Sequence, residues 1–307
     1  MQIKIRLHTK IAFSFAIATF AVLISNNTMH AKNPTRDITD QLAAGASHDA
    51  IVDHLFEARK TASVTRALAL HYPDLTLDEA YKIQMALLKK MQASGEKLVG
   101  WKMGGTKIVK PEDKLDPIFG FMLASDQYKT GGTAPANRFG DDTPIIEAEV
   151  GFWIDKDLPG PKVSRRQLKA ALHGVGGASE LISVRVRDTE GGITAGLNLA
   201  IADGLSHGGF ILPKKQVSLY AANFDTEVGS VKINEKTIAT GTAKIMMNGD
   251  PLAAVLALAN RLPKHGHHLR AGDVVIIGSM LDSPPAVAGD HVKIDFTTYE
   301  PLTIDIK

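Results

Sequence analysis

The chain of 307 residues contains no cysteine. That excludes disulfides, a thiolate nucleophile and any cysteine-ligated zinc site, and it suits an oxidising compartment without requiring one. An excess of one charge is lacking too: 35 Lys and Arg stand against 33 Asp and Glu, a formal net charge of +2. No concentrated basic face is visible, so nucleic acid is not an expected partner. Past the first 31 residues no window is long and apolar enough to cross a bilayer, so no stable membrane span is expected beyond them. Internal repeats, low-complexity tracts and a βαβα alternation are also missing. The last absence argues against a doubly wound parallel sheet and for an α+β fold.

What is present begins with a leader. Lys4, Arg6 and Lys10 precede an apolar run from Ile11 to Ile24, followed by polar residues and Ala31. This is the pattern of a secretory signal peptide over residues 1–31, although Met29 stands where a small residue is preferred; an uncleaved anchor is the alternative. Its removal leaves 276 residues and, with three cations and no acid gone, a net charge of −1. The expected product is periplasmic or secreted. We expect a polar linker over 32–49, a helical region over 50–95 and a catalytic domain over 96–307.

Apolar residues from Ile51 to Leu70 predict helix in two pieces. Thr76-Leu77-Asp78-Glu79 forms a capping box before Ala80, Ile83, Leu87, Leu88 and Met91, with a stop at Gly95. Beyond it, short apolar runs between glycines and prolines predict strands at Leu98–Met103, Ile145–Ile154, Gly209–Leu212, Val228–Ile233, Val274–Ile277 and His291–Phe296. Two further helices are expected, one from Ser164 towards His173 and one from Pro251 to about Arg261.

Chemistry concentrates in a few places. Glu147 and Glu149 lie two apart in an apolar strand, which puts both carboxylates on one face. Like charges so placed repel, and solvent, a nearby lysine or a bound cation could hold them. Glu180 is a further acid in an apolar, glycine-rich setting; it is either a third ligand, completing an all-oxygen set, or a surface or helix-end residue. Lys102, in Val99-Gly100-Trp101-Lys102-Met103-Gly104-Gly105, either snorkels outward or faces a carboxylate substrate as a cation or acid–base group. His265–His268 reads as a solvated loop, not a metal site.

Taken in order, these segments resemble the 2-oxopent-4-enoate hydratase and 4-oxalocrotonate decarboxylase branch of the fumarylacetoacetase-like superfamily. The likeness runs from about residue 50 to the C-terminus. It is carried by Ala80-Tyr81-Lys82-Ile83-Gln84, Val99 to Gly104, Glu147 with Glu149, Asp157-Leu158-Pro159-Gly160, Glu180 with Arg185, Ile201-Ala202-Asp203 with Ser206, Gly208 and Gly209, Leu269 to Asp273, Gly278-Ser279 and Ala288-Gly289-Asp290. The resemblance implies a helical N-terminal region and a mixed, β-sandwich-like core. It implies Mg²⁺ or Mn²⁺ on Glu147, Glu149 and Glu180, Lys102 as catalytic group, and Arg185, Ser206 and Gly104 beside the substrate. A small 2-oxo or 2-hydroxy acid is the implied ligand, aromatic catabolism the setting, and a homo-oligomer the expected assembly.

The implied reaction is metal-dependent hydration of a 2-hydroxy-2,4-dienoate. The alternatives are a 2-oxo acid decarboxylase and an exported binding protein that retains the metal without turnover. Three positions depart from the relatives' pattern: Ile118 stands where an acid is frequent, with Asp116 nearby; Ser183 replaces the aspartate of a Glu-x-x-Asp-x-Arg segment; and Gly204 replaces an asparagine.

Overall fold

The computed structural model describes residues 36–108, 115–189 and 196–307; the leader lies outside them. The helices and strands are α1 (His48–Thr61), α2 (Ala67–His71), α3 (Leu77–Ala93), β1 (Leu98–Gly104), β2 (Ile118–Leu123), β3 (Gln127–Lys129), β4 (Gly132–Ala134) and β5 (Ile145–Ile154). They continue with α4 (Arg165–Ala171), β6 (Leu172–Ile182), α5 (Leu197–Ala202), β7 (His207–Leu212), β8 (Val228–Ile233) and β9 (Lys236–Thr242). The last are α6 (Pro251–Arg261), β10 (Val274–Ser279), β11 (His291–Phe296) and β12 (Leu302–Ile306). This is an α+β protein.

A seven-stranded sheet runs in the order β2-β1-β10-β5-β6-β7-β3, and a five-stranded sheet in the order β4-β12-β11-β8-β9. Both are mixed: β1 with β10, β3 with β7 and β4 with β12 pair in parallel, the other pairs antiparallel. The sheets face each other across Ile146, Ala148 and Leu181 of the larger and Val231, Val292, Ile294, Leu302 and Ile304 of the smaller, which form one apolar layer. This gives the sandwich expected of alternating strands with one buried face.

The helices pack against the larger sheet within a single core that includes Leu55, Leu68, Ile83, Leu87, Trp101, Phe119, Val255 and Leu258. The Thr76–Glu79 capping box forms, with reciprocal side-chain to backbone bonds. Two buried polar groups of α3 then anchor the neighbouring elements. Gln84 donates to the carbonyls of Phe119 and Ile201, at 3.0 and 2.7 Å, and the Tyr81 hydroxyl accepts from the Phe119 amide at 3.2 Å. The N-terminal helices thereby fix β2 and α5, which flank the site.

Some expectations are corrected. The stretch 32–49 is not a loose linker where it is described, since Asp37 bridges to Val64 and Leu42 enters the core. The loop at His265–His268 is only half exposed: His265 packs on Tyr81 at 4.7 Å between ring centroids, and His267 on Trp101 at 5.3 Å. The long strand β6 had no sequence prediction because three glycines interrupt it. Neighbouring side chains take up the missing volume, with Gln216 over Gly174, Trp153 over Gly176 and the Phe296 ring over Gly177. β2, β3, β4, β9, β12 and α5 were likewise unpredicted, and the helix after Ser164 ends at Ala171, before His173.

One close approach matters for the site. Gly120 of β2 lies opposite Lys102 of β1, and a Cβ there would run into the Gly204 carbonyl. Only a residue without a side chain lets the 204–206 turn lie on β2. A Gly120→Ala substitution is expected to lower stability by about 1–3 kcal/mol, the usual effect of overpacking. Urea denaturation checks this, and an unchanged midpoint would contradict the packing described.

Candidate metal centre

Strand alternation does the first part of the assembly. Glu147 and Glu149 project from the same face of β5, and Glu180 of β6 lies in register opposite Glu147. Each of the three offers an oxygen, and these atoms lie within 4.8 Å of one another. Glu149 and Glu180 are fully buried and Glu147 nearly so. Lys102 reaches the same spot from β1, its Nζ 2.8 Å from Glu180 Oε2 and 3.2 Å from the Leu205 carbonyl. The four residues singled out in the sequence as metal and catalytic groups therefore form one cluster.

Three carboxylates and one ammonium leave two negative charges. At 4.8 Å two unit charges repel by about 3–4 kcal/mol at an effective dielectric near 20, so the cluster is not self-sufficient as three free carboxylates. Its protonation behaviour reflects this. Burial, then the negative charge of its neighbours, raises Glu147 above the ordinary glutamate range and Glu149 well above it. Burial would raise Glu180 as well, but Lys102 and His207 outweigh it and hold its pKa low. Burial works against the Lys102 ammonium, and the attraction of Glu180, Glu147 and Glu149 more than compensates, so its pKa is raised.

The donor set fits a hard divalent cation. All three groups offer oxygen, the two negative charges left after Lys102 match its charge, and Glu149 Oε1 is buried with no hydrogen-bond partner among the described residues. The remaining oxygens are oriented. Glu149 Oε2 accepts from the Gly278 amide at 2.5 Å, Glu147 Oε1 from the Ser283 hydroxyl at 3.0 Å, and Glu180 Oε1 bonds to His207 Nδ1 at 2.8 Å. Gly278 turns its amide inward with φ +98°, and a Cβ there would lie 2.7 Å from Thr106 Oγ1.

The residues expected beside the substrate are placed differently from one another. Gly104 lies two residues past Lys102, where Leu205 and Ile118 side chains come within 3.3 and 3.4 Å of the Cβ position it lacks. Ser206 closes a run, Gly204 to Ser206, in which all three residues have positive φ. The Ser206 carbonyl accepts from Ser183 N at 2.8 Å. Arg185 is buried behind this turn: its Nε and Nη2 bond Asp203 Oδ2 at 2.9 and 2.8 Å, and Nη2 also donates to the His207 carbonyl at 2.7 Å. The structure does not join Arg185 to the carboxylates directly.

Sequence reasoning missed His207, Gly278 as an amide donor, and Ser283. His207 had a signal, a lone imidazole between Ser206 and Gly208 at the mouth of a strand. Ser283, in a proline-rich turn, had none.

Metal binding requires deprotonated carboxylates, so affinity should fall as pH drops through the raised pKa values of Glu147 and Glu149. The sign for folding is opposite. A carboxyl raised in the fold binds more protons there than in the unfolded chain, so metal-free stability falls as pH rises above the unfolded glutamate range. Glu149→Gln should flatten that loss, be at least as stable as wild type at pH 8 without metal, and bind Mg²⁺ at least about 10-fold more weakly. Melting curves and calorimetry across pH check this; a variant that keeps both the pH slope and the affinity would contradict it.

No family model matches the chain. It is 32% identical over 242 residues to 2-hydroxyhexa-2,4-dienoate hydratase of Comamonas testosteroni, covering 77% of this chain and 89% of that protein. It is 26% identical over 249 residues to 4-oxalocrotonate decarboxylase of Pseudomonas sp. strain CF600, covering 80% of this chain and 92% of that protein. The solved 4-oxalocrotonate decarboxylase from Pseudomonas putida G7, complexed with magnesium and adipate, has the same fold. Its TM-score is 0.76 at 24% identity, over 86% of this chain and all of that one. Matched at 32% identity over 77% of its length and 89% of the hydratase's, the chain belongs to the family of 2-hydroxydienoate hydratases and 4-oxalocrotonate decarboxylases.

Proposed function

We propose that this protein is a divalent-metal-dependent lyase that hydrates a small 2-hydroxy-2,4-dienoate, with Mg²⁺ or Mn²⁺ held by Glu147, Glu149 and Glu180. The observation that carries the reading is the buried carboxylate triad with Lys102 Nζ 2.8 Å from its third member. Identity of 32% to a hydratase of this substrate class supports it. When bound, the cation supplies a Lewis acid for the carboxylate and C2 oxygen of the substrate.

The chain's own groups supply the rest. Lys102 stays an ammonium in this setting, so it can pair with the substrate carboxylate or deliver a proton from Nζ. The Leu205 carbonyl and Glu180 aim that ammonium. Ile118 and Leu205 form an apolar wall beside Gly104 that limits water on that side. In the overall reaction, one water adds across the dienol to give a 4-hydroxy-2-oxo acid, and nothing is oxidised or reduced.

Purified protein with Mg²⁺ should consume the dienol absorbance of a 2-hydroxy-2,4-dienoate without releasing CO₂, and a chelator should stop it. Release of CO₂ from 4-oxalocrotonate, with no hydration, would establish the decarboxylase reading instead; binding without turnover of either would leave a binding protein. Lys102→Met preserves most of the volume and removes the charge, and turnover should fall by roughly 10²–10⁴-fold. Unchanged turnover would remove Lys102 from the mechanism.

We also propose that the protein is exported. The support is the cationic start and the apolar run Ile11–Ile24 before Ala31. Protein from its host should begin near Lys32 on N-terminal sequencing of the extracytoplasmic fraction; intact Met1 in a soluble cytoplasmic fraction would refute export.

A further inference from the structure

The third carboxylate is held differently from the other two. Glu180 has a partner on each oxygen, Lys102 Nζ on Oε2 and His207 Nδ1 on Oε1, both at 2.8 Å. The lysine comes from β1, three strands away in the sheet, whereas the imidazole comes from the adjacent strand β7. His207 is fully buried, and its ring lies 5.8 Å from that of Phe210. Its backbone is fixed from behind by Arg185, which spans Asp203 and the His207 carbonyl. Arg59 in turn donates to the Asp203 carbonyl at 2.9 Å and lies 3.6 Å from Asp126. Between Asp203 and His207 runs the turn of three positive-φ residues, whose Leu205 carbonyl meets Lys102. One five-residue segment thus contacts both the lysine and the third carboxylate, and two buried arginines brace it.

We propose that His207 is a positioning residue for the cation site. Its Nδ1–H donates to Glu180 Oε1 and fixes the rotation of that carboxylate, while the Arg185–Asp203 pair fixes His207. Donation from Nδ1 also sets the tautomer, because an ionised carboxylate can only accept. Carboxylate ligands elsewhere depend on such outer partners for their orientation. Two consequences follow for this chain. Arg185 acts through Asp203 and His207 on the metal site, and the left-handed turn links the setting of Lys102 to that of Glu180.

The proposal rests on the triad being the cation site, and metal affinity separates the two. Calorimetric titration of metal-stripped protein with Mn²⁺ is the readout, with no substrate present. His207→Asn places an amide N–H close to where Nδ1 is; His207→Phe keeps a ring and has no donor. His207→Phe should weaken Mn²⁺ binding by about 10–100-fold, and His207→Asn should recover it to within about 3-fold of wild type. Circular dichroism and metal-free melting midpoints identify variants that fold. If His207→Phe does not fold, His207→Gln, whose longer side chain misplaces the amide, takes its place with the same expected loss. Equal affinity in wild type and His207→Phe overturns the proposal, as does a loss in His207→Asn as large as in His207→Phe, which would make the role one of ring packing. A wild-type protein that binds no Mn²⁺ overturns the cation site together with it.

Discussion

Three carboxylates within 4.8 Å of one another in the interior of a sheet are the constraint on which the rest of this protein depends. Repulsion of about 3–4 kcal/mol for each pair is comparable, when summed, with the whole stability of a typical domain. Lys102 relieves part of it. Protonation of Glu149 or a divalent cation relieves the remainder, and only the cation leaves all three groups as ligands. Their burial is therefore a functional expense that the fold must offset elsewhere.

The offset is legible in the architecture. β5 and β6 are central strands of the larger sheet, flanked by β10 and β7, with the smaller sheet against one face. Neither strand carrying an acid is free to shift register, since a one-residue slip would turn the carboxylates into the apolar layer. The other face is organised by backbone and outer polar groups: the Gly278 amide, the Ser283 hydroxyl and the His207 imidazole each hold one carboxylate. The N-terminal helices contribute at a distance. Gln84 and Tyr81 fix the start of β2 and the end of α5, and α5 leads straight into the turn that touches Lys102. Strain in that turn, at the positive-φ residues Leu205 and Ser206, belongs with the local conformations that functional sites retain.

Much of this was readable from residues alone, for physical reasons. Period-two alternation put Glu147 and Glu149 on one face, and the apolar flanks argued for their burial. The capping box at Thr76 and Glu79, and the bounds of β5, β8, β11 and α6, follow from local propensity and agree with the structure. What stayed hidden depends on distant packing. β6 is full of glycine because Gln216, Trp153 and Phe296 occupy the volume its side chains would need. Glu180 was ambiguous for that reason, since nothing local marks its strand. Arg185 looked like a substrate ligand, and only the three-dimensional structure shows its bonds to Asp203 and His207. The departures Ser183 and Gly204 also acquire structural roles: Ser183 Oγ accepts from the Gly140 amide at 3.0 Å, and Gly204 opens the left-handed turn.

The central claim is that Glu147, Glu149 and Glu180 share one divalent cation. Anomalous diffraction from a crystal equilibrated with Mn²⁺ tests it most directly. A single anomalous peak is expected at about 2.0–2.6 Å from an oxygen of each of the three carboxylates, the range of hard-cation ligation. No peak at that position with Mn²⁺ in excess, or one bound by residues elsewhere while Glu180 turns away from the other two, would contradict it.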